Sequence, residues 1–182
     1  MEPRRFARIR RAPLTDLPGA SEAPDNGMCL SAFLMLEPPE RPGFVLAGRI
    51  DPSTPWSQIG AVDPKRTALV AERWMLPSCQ LLLFESPVDA ATRILKEQLG
   101  SVPLPLTGPF VFSDPSVRPG APGRDPHWDL HFVFRGRWPS GDAPHVPVWK
   151  RLEFVEVART RRSEFARDQG DVLELVGLRP HD

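Results

Sequence analysis

Proline is the feature that most restricts how this chain can fold. The 182 residues include 23 prolines, which is more than twice the usual share of about 5%. They cluster in segments such as GPFVFSDPSVRPGAPGRDPHW and RWPSGDAPHVPVW. Because proline has no backbone N–H to donate, such segments form loops and strand ends. The sequence therefore predicts many strands and loops with few helices.

Six segments have the apolar composition of strands and are bounded by Pro, Gly or Asp. They run from Cys29 to Leu36, Phe44 to Ile50, Gln80 to Phe84, Phe110 to Phe112, Trp128 to Arg135 and Leu152 to Val157. Each is short enough to be one strand of a sheet. Strands mixed with a few helices predict an α/β layered domain.

Two helices are expected between and after these strands. The first follows Ser86, whose hydroxyl can cap the helix, has Pro87 at its first position and ends at Gly100. The second runs from about Ser163 to before Pro180, with a break near Gly170.

Charge and length predict one globular domain, 28–182, preceded by an Arg- and Pro-rich extension, 1–27. Lys plus Arg equals Asp plus Glu at 23 each, so the net charge is zero. This balance argues against a protein that coats nucleic acid, and we expect no nucleic-acid partner. The arginines of the extension are interpreted as a solvated basic arm.

Cysteine usage and hydropathy point to a cytoplasmic protein. There are two cysteines, Cys29 and Cys79, and no apolar signal core precedes them. The longest apolar runs, such as CLSAFLML, are strand-sized and far shorter than the roughly 20 residues of a membrane-spanning helix. We expect no membrane segment, and a homodimer is compatible with the sequence.

The segment WMLPSCQLLLFESPVDAATRILKEQLG, residues 74–100, resembles the Nudix box and its usual W-x-L-P lead-in. The family pattern is G-x5-E-x7-R-E-U-x-E-E-x-G-U, where U is a bulky apolar residue. The matching positions are Trp74, Leu76, Pro77, Glu85, Arg93, Glu97 and Gly100. The later EFARDQGDVLELVGL is similar to the closing helix of many Nudix proteins. The resemblance implies a Nudix-like α/β/α sandwich with a mixed sheet.

The same resemblance implies a pyrophosphohydrolase that uses a divalent cation on a diphosphate substrate, with Glu85 and Arg93 in a structural role. Three acids of the box would share one helix face and bind the cation. In this chain those positions are Ile94, Glu97 and Gln98. One carboxylate beside a neutral amide holds Mg²⁺ weakly, which predicts slow hydrolysis.

A histidine-rich strand is a candidate replacement for the lost acids. In HWDLHFVF the alternation places His127, Asp129 and His131 on one face. We therefore interpret Glu97, His127 and His131 as candidate catalytic residues. The candidate metal ligands are Glu97, His127, Asp129 and His131, with Mg²⁺ or Mn²⁺ as the cation, although imidazoles also suit Zn²⁺ or Fe²⁺. The alternative is a solvent-facing polar face on a core strand.

Three further sets of residues have a functional and a structural interpretation. Arg135 and Arg137 are candidates for binding substrate phosphates, or are simply solvated. Tryptophans beside loops either stack on a nucleobase or pack in the core, and they are Trp56, Trp138 and Trp149. Cys79 resembles the catalytic cysteine loop of the Nudix-fold isopentenyl diphosphate isomerases, or is a small buried hydrophobe.

Two functions follow as the leading hypotheses. The first is an atypical hydrolase of nucleoside-diphosphate-linked or related diphosphate substrates, in which Glu97 holds a metal with help from the histidine strand. The second is a non-catalytic binding or regulatory module for a nucleotide or other diphosphate ligand. A third and weaker hypothesis is an isomerase that relies on Cys79.

Overall fold

The computed structural model describes residues 8–9, 28–62, 64–100, 104–114, 128–140 and 142–178. The strands in these ranges are β1 (Arg8–Ile9), β2 (Met28–Glu37), β3 (Phe44–Ile50), β4 (Ser78–Gln80), β5 (Leu106–Asp114), β6 (Trp128–Arg137) and β7 (Trp149–Glu156). The α-helices are α1 (Trp56–Ile59), α2 (Thr67–Ala71), α3 (Pro87–Leu99) and α4 (Gln169–Leu175).

Five of these strands form one mixed sheet and two form a separate pair. The large sheet has the order β1, β2, β6, β5, and β4 pairs with β2 as well. Strands β2 and β6 are parallel, while β1, β4 and β5 pair antiparallel to their neighbours. The second sheet is the antiparallel pair β3 and β7. The predicted α/β architecture with a mixed sheet is confirmed.

Helices cover both faces of the large sheet. Alternate residues of β2 enter different apolar clusters, because successive side chains of a strand point to opposite faces. Leu34 packs with the residues of α3, whereas Phe33 packs with Val172 and Leu173 of α4. The α3 face and the α4 face of the sheet are named accordingly below. Both helices are therefore packed on the sheet, as a sandwich requires.

The helix α3 forms where its capping residues predict it. The Ser86 hydroxyl accepts a hydrogen bond from the Asp89 amide at 3.1 Å, and Pro87 is the first helical residue. Gly100 ends the helix with a φ of +57°, in the left-handed region that glycine adopts without strain. The apolar stripe of the helix is buried, so the predicted packing of this helix against a sheet is confirmed.

Two predicted elements are wrong in detail. The expected strand from Gln80 to Phe84 ends at Gln80, because the chain then turns: the Leu82 amide donates to Glu85 at 2.8 Å, and Phe84 adopts a left-handed φ of +67°. The expected C-terminal helix is interrupted at Arg167, whose φ is +56°, rather than at Gly170. Two short 3₁₀ turns therefore precede α4.

Two residues of the predicted extension, Arg8 and Ile9, lie in the part of the chain that the structure describes. Within the extension, Arg8 and Ile9 pair with the start of β2. Among the residues described by the structure, no helix is long and apolar enough to cross a membrane.

Candidate ligand site at the box helix

A buried ion pair fixes the loop before α3 to the helix itself. Arg93 donates from Nε to Glu85 Oε1 and from Nη2 to Glu85 Oε2, both at 2.7 Å. The same Nη2 donates to the Gln80 carbonyl at 3.0 Å, and both charged side chains are 11% exposed. The predicted tie between the loop and the helix through Glu85 and Arg93 is confirmed by this geometry, and its effect on stability stays a prediction.

The pair keeps both groups ionised despite their burial. Burial by itself opposes ionisation of Glu85, but hydrogen bonds from Arg93 and from the Leu82 amide hold the pKa of this carboxyl below its usual value. Burial also favours neutral Arg93, yet the hydrogen bond from its side chain to Glu85 raises the pKa of the guanidinium above its usual value. This tie between helix and loop is therefore a charged one.

Cys79 lies in β4 next to this pair, and burial favours the protonated form of its thiol. The side chain is 2% exposed, and burial raises the pKa of the Cys79 thiol to about 12. Arg93 Nη2 lies 3.2 Å from the sulfur and opposes this shift without reversing it. Since the thiolate is the reactive form, the geometry favours the buried hydrophobe over the isomerase hypothesis.

Ile94 is a core residue. It is 1% exposed and packs in the cluster on the α3 face of the sheet, with Leu95 and Leu99 of the same helix. A carboxylate at this position would have to be buried among apolar side chains, which is costly for an unpaired charge. The box position that the family pattern gives to an acid is here part of the packing of α3.

Gln98 of α3 is hydrogen-bonded to the backbone of Ser78 in β4. Its Oε1 accepts from the Ser78 amide at 3.1 Å, and its Nε2 donates to the Ser78 carbonyl at 2.7 Å. The residue is 1% exposed, and its own carbonyl accepts from Trp149 Nε1 at 2.7 Å. The amide therefore uses both of its polar atoms on one buried residue of β4.

This arrangement does not fit a divalent cation of the kind that the Nudix pattern implies. A glutamate at position 98 could accept the Ser78 amide, but its second oxygen would face the Ser78 carbonyl oxygen, and two acceptors repel each other unless a cation or a proton lies between them. The amide nitrogen of Gln98 occupies that place and donates instead. Two of the three box positions are thus filled without charge.

Glu97 is the remaining box acid. Its side chain is half-buried, and its charge acts on both Arg93 and Cys79, whose pKa values it helps to raise after the larger effects named above. In the part of the chain that the structure describes, no group of three or more His, Cys, Asp or Glu side chains is placed to hold a metal ion. A metal at Glu97 remains a prediction from the sequence.

The histidine strand is β6, and its polar residues point away from α3. Phe132 and Phe134 pack on the α3 face, so Asp129 and His131 lie on the α4 face. There the His131 ring meets Phe33 edge-on, with centroids 5.0 Å apart. The structure does not bring His131 together with the helix that carries Glu97, and His127 lies outside the described residues. The metal-binding and catalytic roles of this set stay predictions.

The exposure of His131 corrects the alternative interpretation of this strand. His131 is 6% exposed, so this part of the polar face of β6 is covered rather than solvent-facing. Further along the strand, Arg135 pairs with Glu37 at 2.8 Å, whereas Arg137 is exposed. A phosphate-binding role for the two arginines stays a prediction, and for Arg135 it would require competition with Glu37.

The tryptophans that sequence analysis considered for base stacking belong to the core. Trp56, Trp138 and Trp149 are 1%, 6% and 5% exposed. Trp56 and Trp149 pack against each other with ring centroids 4.6 Å apart, and the Trp56 indole N–H donates to the Val148 carbonyl at 3.0 Å. The packing interpretation is therefore correct and the stacking interpretation is wrong.

Comparison with known proteins gives a fold and no closer relationship. No family model matches the chain. No curated protein matches it in sequence. Among solved structures, the dihydroneopterin triphosphate pyrophosphohydrolase of E. coli is 13% identical, with a TM-score of 0.51, and the match covers 80% of this chain and 92% of that one.

Two further solved structures superpose equally well. A Nudix hydrolase from Nitrosomonas europaea is 15% identical, with a TM-score of 0.51 and a match over 83% of this chain and 90% of that one. A MutT protein from Methanosarcina mazei Go1 is 15% identical, with a TM-score of 0.51 and a match over 87% of this chain and 96% of that one. The chain therefore has the Nudix fold, as the segment from Trp74 to Gly100 predicts.

Proposed function

We propose that this protein is a Nudix-fold binding module for a small phosphate-bearing ligand such as a nucleotide. In this module, neutral side chains of the box hold α3 against β4 without a cation. The observation that carries the proposal is the pair of hydrogen bonds between the Gln98 amide and Ser78, at 3.1 and 2.7 Å. Of the two leading hypotheses, this geometry favours the binding module.

The energetic argument concerns what a cation would have to displace. Admitting a metal at position 98 would break two buried hydrogen bonds, each worth about 1 kcal/mol net and more if a partner is left unsatisfied. The incoming ion would gain only a neutral amide oxygen there, which is a weak ligand for Mg²⁺. Ile94, at 1% exposure, offers no oxygen at all. Glu97 alone is then a poor metal site.

A phosphate-bearing ligand is supported by the fold and by one of its neighbours. The E. coli structure with a TM-score of 0.51 is a pyrophosphohydrolase of dihydroneopterin triphosphate, a ring compound with a phosphate chain. At 13% identity the two chains share a fold, and the proposal takes from it only the chemical class of the ligand. Binding of such a ligand needs no hydrolysis.

The test compares binding and turnover on the same protein. Isothermal titration of the full chain with ADP, GDP and dihydroneopterin triphosphate is carried out once with EDTA and once with Mg²⁺, and product formation is followed by chromatography. We expect at least one of these ligands to bind with an affinity that EDTA leaves unchanged, and no turnover above background. Absence of binding by all three ligands would overturn the proposal.

The hydrolase hypothesis is the other way in which the proposal can fail. Turnover with Mg²⁺, Mn²⁺ or Zn²⁺ that Glu97→Gln abolishes would make the protein an atypical hydrolase. Loss of that turnover in His131→Ala as well would assign a catalytic role to the histidine strand. Glu72→Gln, at an exposed position beyond α2, is the matched control for a charge removed elsewhere.

A further inference from the structure

A surface pocket of about 490 Å³ lies on the α4 face of the sheet. Its lining residues are Arg73, Arg161, Arg162, Ser163, Phe165 and Asp171, and it is called the arginine pocket below. Phe165 is 1% exposed and packs with the residues of α4, whereas the three arginines and Ser163 are exposed. None of the lining residues belongs to α3, so the pocket is separate from the site at the box helix.

Two backbone segments that are far apart in the sequence form the pocket. The Trp74 amide donates to the Glu164 carbonyl at 2.8 Å, and the Ala166 amide donates to the Trp74 carbonyl at 2.7 Å. Together these bonds place Arg73 beside the segment from Arg161 to Ser163. Because Trp74 and Ala166 are both buried, the arginines are carried on a firmly held backbone.

Arg162 lies against the beginning of α4. A Cβ at Gly170 would lie 2.7 Å from Arg162 Cγ and 3.0 Å from the Arg162 carbonyl oxygen, so glycine is what allows this close approach. The Nε of Arg162 donates to Asp171, and its Nη1 lies 3.5 Å from Glu174. The Arg162 side chain is still 45% exposed, so it remains accessible from solvent.

The lining of the pocket is positively charged. It has three arginines and one carboxylate, that of Asp171. Arg161 is paired with Glu164 at 2.9 Å, but its side chain is 83% exposed, and pairs of this kind are weak because water screens both charges. Arg73 has no carboxylate partner among the residues that the structure describes. An incoming carboxylate would therefore find one unpaired and one weakly paired arginine.

Two more arginines extend this positive region over Trp74, the residue that follows Arg73. The guanidinium carbons of Arg49 and Arg151 lie 4.9 and 5.5 Å from the centre of the Trp74 ring, which attracts cations. Arg151 is also paired with Glu153 at 2.6 Å. Arg49 Nε is buried and donates to no acceptor in the described part of the chain. The region therefore has a further donor that is not satisfied.

The chemistry of the pocket favours an acidic protein segment over a small anion. All the cations of its lining are arginine, whose planar guanidinium can bind a carboxylate through two parallel hydrogen bonds. Arginine is enriched in protein interfaces, whereas lysine is depleted there. A single small anion at exposed arginines would stay hydrated and screened by salt. Several carboxylates on one peptide would contact the arginines together.

Two exposed leucines lie on the helices next to the pocket. Leu69 of α2 is 72% exposed, and Arg73 lies two residues beyond the end of that helix. Leu175 of α4 is 37% exposed and follows Asp171 by four residues, so the two share one side of the helix. An acidic segment that also carries apolar side chains would cover these leucines while it neutralises the arginines.

We infer that the arginine pocket is a docking surface for an acidic, leucine-containing segment of a partner protein, with Arg73 and Arg161 binding its carboxylates. This inference goes beyond the proposed function and does not depend on it, because no residue of α3 lines the pocket. The pocket is accessible to a partner whether or not a ligand is bound at the box helix.

The first experiment tests the chemistry of the partner. Binding to the full chain is followed by fluorescence anisotropy with three labelled peptides, in which leucine recurs among glutamates at every second, third or fourth position. The controls are the same peptides with glutamine in place of glutamate. At about 50 mM salt we expect at least one acidic peptide to bind tenfold or more tightly than its glutamine counterpart, and added salt should weaken it. No such preference in any of the three would overturn the inference.

Arginine variants locate the binding on the protein. Arg73→Ala and Arg161→Ala should each weaken the best peptide about fivefold or more, whereas Arg159→Ala should change its affinity less than about twofold. Arg159 is the matched control because it does not line the pocket, and its side chain is 84% exposed and pairs with Glu156 at a spacing of three, as Arg161 pairs with Glu164. Equal losses in Arg159→Ala and Arg161→Ala would mean unspecific attraction and would defeat the proposed site.

Competition distinguishes a protein segment from a phosphate polyanion. Inorganic pyrophosphate and a short DNA duplex are added to the complex with the labelled peptide, each at the same concentration of negative charge as unlabelled peptide. We expect the unlabelled peptide to displace the label at least fivefold more effectively than either competitor. If the duplex or pyrophosphate displaces it as well as the peptide does, the pocket recognises phosphate and the inferred partner is wrong.

Discussion

Two contacts hold α3 to β4 and the loop that follows it, and they differ in kind. At one side, Arg93 and Glu85 form a two-bond ion pair whose atoms are 2.7 Å apart. At the other, Gln98 and the backbone of Ser78 form two hydrogen bonds between neutral groups. The charged tie joins two opposite charges, while the neutral tie occupies a position that the family pattern gives to an acid.

The difference teaches which features of the box are structural in this chain. A charge can be buried when a counter-charge and further hydrogen bonds accompany it, and Arg93 has both. The Gln98 side chain is hydrogen-bonded to the backbone N–H and carbonyl of Ser78, so an amide satisfies both, whereas a carboxylate would need a cation or a proton beside the carbonyl. Ile94, between the two ties, belongs to the apolar core. Substitutions at each of these three positions test this difference.

The largest effect is expected for a charge placed between the ties. Ile94→Glu would bury a carboxyl group in the α3 cluster, where Ile94 is 1% exposed, and we expect it to lower the free energy of unfolding by about 4 kcal/mol or more. Denaturant unfolding measures the loss. Ile94→Val is the control, with an expected loss of about 1 kcal/mol. A stable Ile94→Glu protein would mean that this side of α3 opens toward solvent.

Breaking the charged tie should have the next largest effect. Arg93→Ala leaves the Glu85 carboxylate buried without its partner, and we expect a loss of about 3 kcal/mol in the free energy of unfolding. Glu85→Gln, which keeps the shape and removes the charge, is the matched variant. An unchanged melting temperature in Arg93→Ala would contradict a structural role for the pair.

The same tie predicts how stability depends on acid. The pKa of Glu85 is lowered in the folded chain, so its contribution is present above the unfolded value near 4.3 and is lost as the pH falls through the lower folded value. Melting temperatures between pH 6 and pH 3 should therefore fall more in the native protein than in Glu85→Gln. Equal slopes for the two proteins would argue that the carboxylate is solvated.

The fold could be predicted largely from local rules. Ser86, Pro87 and Gly100 mark both ends of α3 because capping and proline geometry act within a few residues. The turn after β4 could not be predicted from propensity, since the apolar composition of QLLLF, residues 80–84, suggests a strand there. What ends the strand is the side chain of Glu85, which accepts a hydrogen bond from the Leu82 amide and is paired with Arg93 from the second turn of α3.

The candidate site was harder to predict because it depends on which face of the sheet each residue occupies. Alternation in β6 correctly separated His131 from Phe132, but only the packing of α3 reveals that His131 lies on the opposite face from that helix. Gln98 was recognised from the box pattern as a lost charge, while its partner Ser78 is 20 residues away.

A smaller effect is expected from placing an acid in the neutral tie. Gln98→Glu replaces the donor to Ser78 by an oxygen that faces an oxygen, and we expect a loss of about 1–2 kcal/mol in EDTA. Mg²⁺ or Mn²⁺ should restore part of this loss in Gln98→Glu, because the cation would lie between the two oxygens. Neither ion should change the native protein. A Gln98→Glu protein as stable as native in EDTA would contradict the account of this tie.

The smallest effect is expected on the reactivity of the Cys79 thiol rather than on stability. Its rate of labelling shows which of the two ties opens first. Cys79 lies between Ser78 and Gln80, so both ties flank it, and burial raises the pKa of its thiol to about 12. A folded-state pKa above the unfolded value near 8.5 means that the buried thiol stays protonated, and that stability falls as the pH rises beyond that unfolded value. At pH 8, iodoacetamide should therefore label the half-buried Cys29 well before Cys79, as peptide mass spectrometry can measure.

Labelling of Cys79 should accelerate more in Arg93→Ala than in Gln98→Glu, because the charged tie contributes more to holding α3 against β4. The guanidinium of Arg93 also contacts the Cys79 sulfur at 3.2 Å. Faster labelling in Gln98→Glu would reverse the ranking of the two ties, and equal labelling of both cysteines in native protein would contradict the burial on which that ranking depends.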